Sequence, residues 1–382
     1  MFGKRITLFK LMGFKVRVDL SWLIIVALVV WSLASGVFPY YYEDLPASSY
    51  WIMGVIGAIG LFLSIIAHEF THSLVARRFG MPMEGITLFI FGGVAEMEEE
   101  PPSAKAEFFM AFAGPLSSIL IGFLFWGLTI ISRANGGPVI ATGVFNYLKL
   151  INWILAGFNL LPAFPLDGGR VLRSILWQWK HNLSQATKMA SSLGSGFGLL
   201  LIVGGIFFLF SGAFIGGIWW ILIGLFLRQA SQMSYRRILM RKALEGEKIN
   251  RFMQKDPVTV SPSTSVKDLV ENYIYKYHYR MYPVTDNGHL QGCITTKEIK
   301  QVPQESWEEK TVQDIVHTCS TNNTISIDGD PVEALSLMNK TGNSRLLVLD
   351  KQNELAGVIT IKDLLGFLSL KFDLEEDNLR KM

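Results

Sequence analysis

Six long apolar runs constrain this chain more than any other feature: about residues 19–38, 50–76, 106–131, 143–162, 193–211 and 213–229. A hydrocarbon core about 30 Å thick takes roughly 20 helical residues to cross, at about 1.5 Å each. In lipid a helix satisfies its own backbone, whereas an open strand does not. The runs stop near residue 229, and the rest of the chain is ordinary in charge and polarity. A polytopic α-helical membrane domain of about six spans, followed by a soluble domain, is therefore expected. The net charge of +3 gives a nucleic-acid partner no support. Both cysteines, Cys293 and Cys319, fall in the polar third, so a disulfide scaffold is not expected. The first run has no small-residue cleavage pattern at its end and reads as an anchor that is kept.

Basic residues set the orientation. Lys4, Arg5, Lys10, Lys15 and Arg17 precede the first run, and Arg77, Arg78 and Lys105 lie in the second connection. Arg170, Arg173, Lys180 and Lys188 lie in the fourth, and Arg228, Arg236, Arg237, Arg241 and Lys242 follow the last run. The opposite side has Arg133 and Lys149. The excess of positive charge predicts that both termini and the soluble domain are cytoplasmic, in a cell membrane. Two stretches of the membrane part do not read as helices. Ile6 to Leu20 alternates loosely around Gly13, and Ile86 to Ala95 has strand propensity and a Gly92–Gly93 turn. The acidic run Glu96, Glu98, Glu99 and Glu100 ends the second one. An apolar strand at a membrane has to pair or line a cavity, and its free edge is a template for an extended peptide.

Residues 68–72 read His68-Glu69-Phe70-Thr71-His72. On a helix, residues four apart share a face, so both imidazoles can reach one zinc ion while Glu69 stands beside them to take a proton from water. Ionisable side chains inside an apolar helix are costly and usually functional. The bland alternative is a pair of buried histidines bonded to neighbouring helices. A catalytic zinc takes three protein ligands. The third candidate is Asp167, in Asn159-Leu-Leu-Pro162-Ala-Phe-Pro165-Leu-Asp167-Gly168-Gly169-Arg170, where two prolines break the helix. Alone, Asp167 would read as the cap of a helix starting near Gly169. With the histidine pair present and no other acid at that depth, ligation is the stronger reading.

The soluble third repeats itself with an offset of 65 residues: Val260 matches Ile325, Arg280 Arg345, Gly292 Gly357, Thr295 Thr360, and Glu298 Asp363. A unit of about 60 residues buries little surface alone, so the copies are expected to pack into one domain. The expected organisation is a membrane domain over 1–235, a basic linker over 236–250, repeats over 251–310 and 311–372, and a tail over 373–382.

These motifs together resemble the site-2 protease family of intramembrane zinc metalloproteases. The resemblance covers essentially the whole chain and includes Phe91-Gly92-Gly93-Val94-Ala95 and Ala113-Gly114-Pro115. It implies zinc on His68, His72 and Asp167, Glu69 as general base, and Asn159 on the substrate carbonyl or its developing oxyanion. The family often has Asn shortly after the Gly-Pro, where this chain has Leu116-Ser117-Ser118. The resemblance also implies a membrane-spanning protein substrate cut by regulated intramembrane proteolysis, such as a membrane-bound transcription regulator or a remnant signal peptide. The repeats resemble a tandem cystathionine β-synthase (CBS) domain. That likeness implies an adenine nucleotide such as ATP as regulator, with Thr295 and Thr360 toward phosphate and Glu298 and Asp363 on ribose, and a homo-oligomer through the CBS domains. The plainer role for both acids is stabilising the helix starts. A competing function is a CBS-gated ion or zinc transporter, whose His, Glu and Asp would line an ion path; the tight zinc spacing with Glu69 in the base position favours the protease.

Overall fold

A computed structural model describes residues 5–81, 83–89, 92–97, 100–318, 320 and 322–381. Lys4, Phe91, Glu98, Glu99 and Cys319 lie outside the described residues. The chain divides into two compact units, Met1–Arg236 and Arg237–Met382.

The first unit is built on six helices long and apolar enough to cross a membrane: α1 (Ser21–Tyr41), α2 (Ala47–Arg78), α3 (Ala104–Ala134), α4 (Val139–Asn159), α6 (Leu183–Phe210) and α7 (Phe214–Leu244). A shorter helix, α5 (Asp167–Lys180), stands between α4 and α6. The helical spans outrun the apolar runs where polar turns extend them. α6 starts ten residues before the apolar run because Asn182 caps it, accepting from the Gln185 N–H. α4 stops at Asn159, ahead of the proline-broken segment 160–166, which contains a cis Phe164–Pro165 peptide.

The two non-helical stretches form one four-stranded sheet in the order β1-β2-β3-β4. β1 (Arg5–Leu11) and β2 (Phe14–Asp19) make a hairpin turning at Met12–Gly13, both at positive φ. β2 pairs parallel with β3 (Met83–Phe89), and β3 antiparallel with β4 (Gly92–Met97). The expected Gly92–Gly93 turn is therefore displaced. Gly92 faces Phe89 and Gly93 faces Leu88 within the ladder, and residues 90–91 lie outside the described residues. β4 ends the sheet and presents its outer edge. The inner face, with Val18, Ile86 and Leu88, packs on Ile65, Ile66 and Phe70 of α2. Phe14 meets the Phe70 ring edge-on at 5.7 Å. The sheet thus rests on the stretch of α2 that holds the histidine pair.

The second unit is the soluble α/β tandem CBS domain, with two sheets. One has the order β5-β11-β10-β9, from β5 (Gln254–Lys255), β9 (Thr324–Ser326), β10 (Arg345–Leu349) and β11 (Leu355–Thr360). The other has the order β6-β7-β8, from β6 (Met281–Asp286), β7 (His289–Thr295) and β8 (His317–Thr318). The strands are exchanged. β5, at the start of the first repeat, pairs with β11 of the second, and β8, at the start of the second, pairs with β7 of the first. Cys293, Leu347 and Val358 join the two sheets. Two helices, α8 (Pro331–Thr341) and α9 (Ile361–Lys381), cover the larger sheet. Their core also takes Ala243, Leu244, Ile249 and Phe252.

Candidate metal centre

Three atoms able to coordinate a metal ion converge in the membrane unit. His68 Nε2 lies 3.0 Å from Asp167 Oδ2, His72 Nε2 lies 3.2 Å from the same oxygen, and the two imidazole nitrogens are 3.1 Å apart. His68 and His72 are buried and Asp167 nearly so.

The tautomer of His72 follows from its other nitrogen. Nδ1 is 2.6 Å from the Met110 carbonyl, which can only accept, so Nδ1 carries the proton and Nε2 presents its lone pair to the cluster. His68 Nδ1 is 2.9 Å from Ser118 Oγ, which leaves His68 Nε2 aimed inward as well. Two lone pairs and a carboxylate oxygen at this spacing repel one another unless a cation sits among them. A tetrahedral site with metal–ligand bonds of about 2.0–2.1 Å needs ligand atoms about 3.3 Å apart. The donor set and its spacing both suit zinc.

α3 builds the wall opposite the histidines. Met110, Gly114 and Ser118 follow one another at intervals of one turn on a single face. Met110 and Ser118 hold the two imidazoles from behind. Gly114 sits between, where a Cβ would lie 2.1 Å from His72 Nε2 and 2.6 Å from His68 Nε2. No side chain fits there without occupying the space where the ligand atoms meet.

Asp167 is the first residue of α5, and Leu166 before it makes no side-chain cap bond. The carboxylate is turned toward the histidines and does not cap its own helix. Gly168 and Gly169 let the first turn fold back on its leading segment: a Cβ would be 2.2 Å from the Leu160 carbonyl oxygen and from the Phe164 nitrogen, respectively. The segment is tied by a buried guanidinium. The Arg173 guanidinium lies 5.0 Å over the Phe164 ring. It is 3% exposed and donates from Nε to Glu107 Oε1 at 2.7 Å and from Nη2 to Glu100 Oε2 at 3.2 Å; Glu107 is 0% exposed. One buried charge thus joins α5, α3, Glu100 just ahead of α3, and the turn that carries Asp167.

Glu69 follows His68 on α2 and is half-buried. Asn159, the last residue of α4, folds back on its own helix, with Nδ2 donating to the Leu155 carbonyl at 3.0 Å. Sequence reasoning missed Met110 and named Gly114 and Ser118 only within the family pattern, with no role for either. A polar residue eight positions after Met110 and a glycine halfway between was the available signal, since all three fall on one helical face.

In the soluble unit the two acids form caps. Glu298 Oε2 accepts from the Thr295 N–H at 2.8 Å and from its hydroxyl, and His317 Nε2 is 3.4 Å from the other oxygen. Asp363 Oδ2 accepts from the Thr360 N–H at 2.8 Å and its hydroxyl at 2.7 Å. Each Thr–acid pair is fixed at the start of a helix, as the repeat pattern requires.

Residues 56–139 and 130–203 match the sequence model of peptidase family M50, and residues 249–305 and 312–370 match that of the CBS domain. The chain is 34% identical over 353 residues to sll0528 of Synechocystis sp., across 91% of both chains. It is 31% identical over 377 residues to the zinc metalloprotease MJ0392 of Methanocaldococcus jannaschii, covering 97% of this chain and 98% of that one. Among solved structures it is similar to a site-2 protease from Methanocaldococcus jannaschii, with 30% identity, a TM-score of 0.41, and coverage of 60% of this chain and 94% of that one.

Proposed function

The chain belongs to peptidase family M50, the site-2 protease family of zinc metalloproteases, with a tandem CBS domain, and on that footing we propose that it hydrolyses peptide bonds of membrane-spanning proteins inside the bilayer. The observation that carries the reading is the convergence of His68 Nε2, His72 Nε2 and Asp167 Oδ2 within 3.0–3.2 Å of one another, between helices long and apolar enough to span a membrane. These three residues would hold the zinc. When bound, zinc supplies a Lewis acid that polarises a peptide carbonyl and makes water acidic enough to attack near neutral pH.

The remaining steps fall to the chain's own residues. Met110 and Ser118 keep both imidazoles turned inward, so the ligands stand preformed. Glu69, adjacent to His68, takes the proton from the attacking water and returns it to the leaving amine. Asn159 would turn its amide from the Leu155 carbonyl to the substrate carbonyl as it becomes an oxyanion. A helical peptide bond is shielded, so the substrate must be extended before it is cut. The outer edge of β4 is the open edge on the side of the sheet away from β1, and it offers backbone partners for such a strand. The excess of basic residues on one side supports a cytoplasmic position for both termini and the CBS domain. The boundaries 1–235 for the protease and 251–372 for the repeats follow from the same reading. An adenine nucleotide on Thr295, Glu298, Thr360 and Asp363 would regulate cleavage.

The test is cleavage of a single-span reporter by the intact protein and by Glu69→Gln. The variant retains both histidines and Asp167, so it is expected to bind one zinc and to cut at least a hundredfold more slowly. Equal cutting by both would refute the role of Glu69, and zinc flux in reconstituted vesicles without cutting would favour the transporter.

A further inference from the structure

Irregular backbone at membrane depth has to find its hydrogen-bond partners in the surrounding protein. The segment 160–166 bonds partly to itself: Ala163 N–H donates to the Leu161 carbonyl and Leu166 N–H to the Ala163 carbonyl. The Phe164 carbonyl is served from elsewhere, by the hydroxyl of Ser231 on α7. Ser231 is 0% exposed and Phe164 is buried. α6 closes on the same point. A Cβ on Gly194 would lie 2.1 Å from the Phe164 oxygen and 2.6 Å from Ser231 Oγ, so both helices reach this carbonyl only because one brings a glycine and the other a short donor.

We propose that Ser231 is a positioning residue for Asp167: its hydroxyl fixes the Phe164 carbonyl, and with it the turn that delivers Asp167 to the histidine pair. The inference rests on the ligand assignment above. Its mechanical link is short. Phe164 backbone touches Gly169, whose Cβ would be 2.2 Å from the Phe164 nitrogen, and Gly169 lies in the first turn of α5 beside Asp167. Arg173 fixes the Phe164 ring, so Ser231 and Arg173 hold one residue by its carbonyl and its side chain. Metal–ligand distances tolerate only about 0.2 Å, so release of this carbonyl is felt at Asp167 before the fold is lost. Neither helix end nor any motif of α7 marks Ser231 in the sequence; only the crossing with the segment does.

The experiment measures zinc affinity of the full-length protein in detergent by competition with a chelator, alongside reporter cleavage. Ser231→Ala is expected to bind zinc about tenfold more weakly or worse, the range seen when a group behind a metal ligand is removed, with cleavage recovered at saturating zinc. Ser231→Cys keeps the volume but only a weak donor, and is expected to fall between; it carries the same test if the alanine variant is not recovered folded. Ser234→Ala, whose hydroxyl bonds within its own helix to the Ala230 carbonyl at 3.0 Å, is expected to match the unaltered protein. Wild-type affinity in Ser231→Ala, or an equal loss in Ser234→Ala, would overturn the role of Ser231 alone. Unaltered protein that takes up no zinc would instead overturn the ligand assignment, and this inference with it.

Discussion

Gly114→Ala separates the site from the scaffold. The added methyl would stand 2.1 Å from His72 Nε2, 2.5 Å from His72 Cε1 and 2.6 Å from His68 Nε2. Ordinary carbon–nitrogen contact begins near 3.4 Å, so the His72 ring must retreat by about 1.3 Å. It cannot do so and keep its 2.6 Å bond to the Met110 carbonyl. Ligation tolerates about a sixth of that displacement. The loss should exceed the upper end of the range for groups behind a ligand, which is about a hundredfold, or about 2.8 kcal/mol. The apo fold should lose less, because the preference for Ala over Gly in a helix interior, up to about 1 kcal/mol, offsets part of the cost of the displaced ring. Zinc per chain after dialysis, chelator competition and thermal unfolding in the presence of chelator read the two effects apart. A Gly114→Ala protein that keeps one zinc with unaltered affinity would refute the placement of the ligand atoms. Loss of zinc together with collapse of the apo fold would refute the claim that Gly114 is there for the site.

Ser118→Ala removes the partner of His68 Nδ1 and should weaken zinc binding about tenfold, with unchanged thermal stability of the apo protein, read by chelator competition. Arg173→Met should destabilise the membrane unit by about 3–5 kcal/mol, because it strands the buried Glu107 carboxylate; adding Glu107→Gln should recover much of the loss, as a double-mutant cycle in thermal unfolding would show. Failure of the second change to restore stability would mean that the two side chains are not a pair. In the soluble unit, the Lys248 ammonium holds the Asp328 carboxyl below its ordinary value, with Lys351 adding to the effect. Its contribution is complete above an unfolded carboxyl pKa of about 3.9 and fades as pH falls through the lowered folded value. Asp328→Asn should therefore lower stability slightly at pH 7, where the contribution is complete, and leave it unchanged below the lowered folded value, which flattens the acid limb; the drop is small because the pair is exposed.

The elements whose signal is local were legible in the sequence. A run of apolar residues specifies a span, and two histidines four apart specify a shared helical face. The repeat offset identified both Thr–acid caps. What was hidden depends on partners distant in the chain. β3 pairs parallel with β2 seventy residues away, and nothing around Ile86 names that partner. The Gly92–Gly93 pair looked like a turn because glycine favours one, yet the register of the hairpin carries both into β4. Ser118 seemed to break a family pattern, and its use is evident only once α3 is laid against α2. α5 is long enough for a helix but too polar for a span, so hydropathy passed over it.

The exchange of strands in the soluble unit sets the order in which it can be finished. On the ribosome the sheet around β7 waits for His317 and Thr318, and β5 waits for Gly357 and Val358, about a hundred residues behind it. At roughly 5–20 residues per second that is a delay of some 5–20 s, with neither repeat able to close by itself. Ala243 and Leu244, the last turn of α7, share a core that runs from Ile249 to Leu364 and Leu368, so its packing is completed only when nearly the whole chain has been made. A chain cut short before Leu364 would carry all six long apolar helices and the converging His68, His72 and Asp167, yet leave this apolar turn with its core incomplete and open to proteolysis.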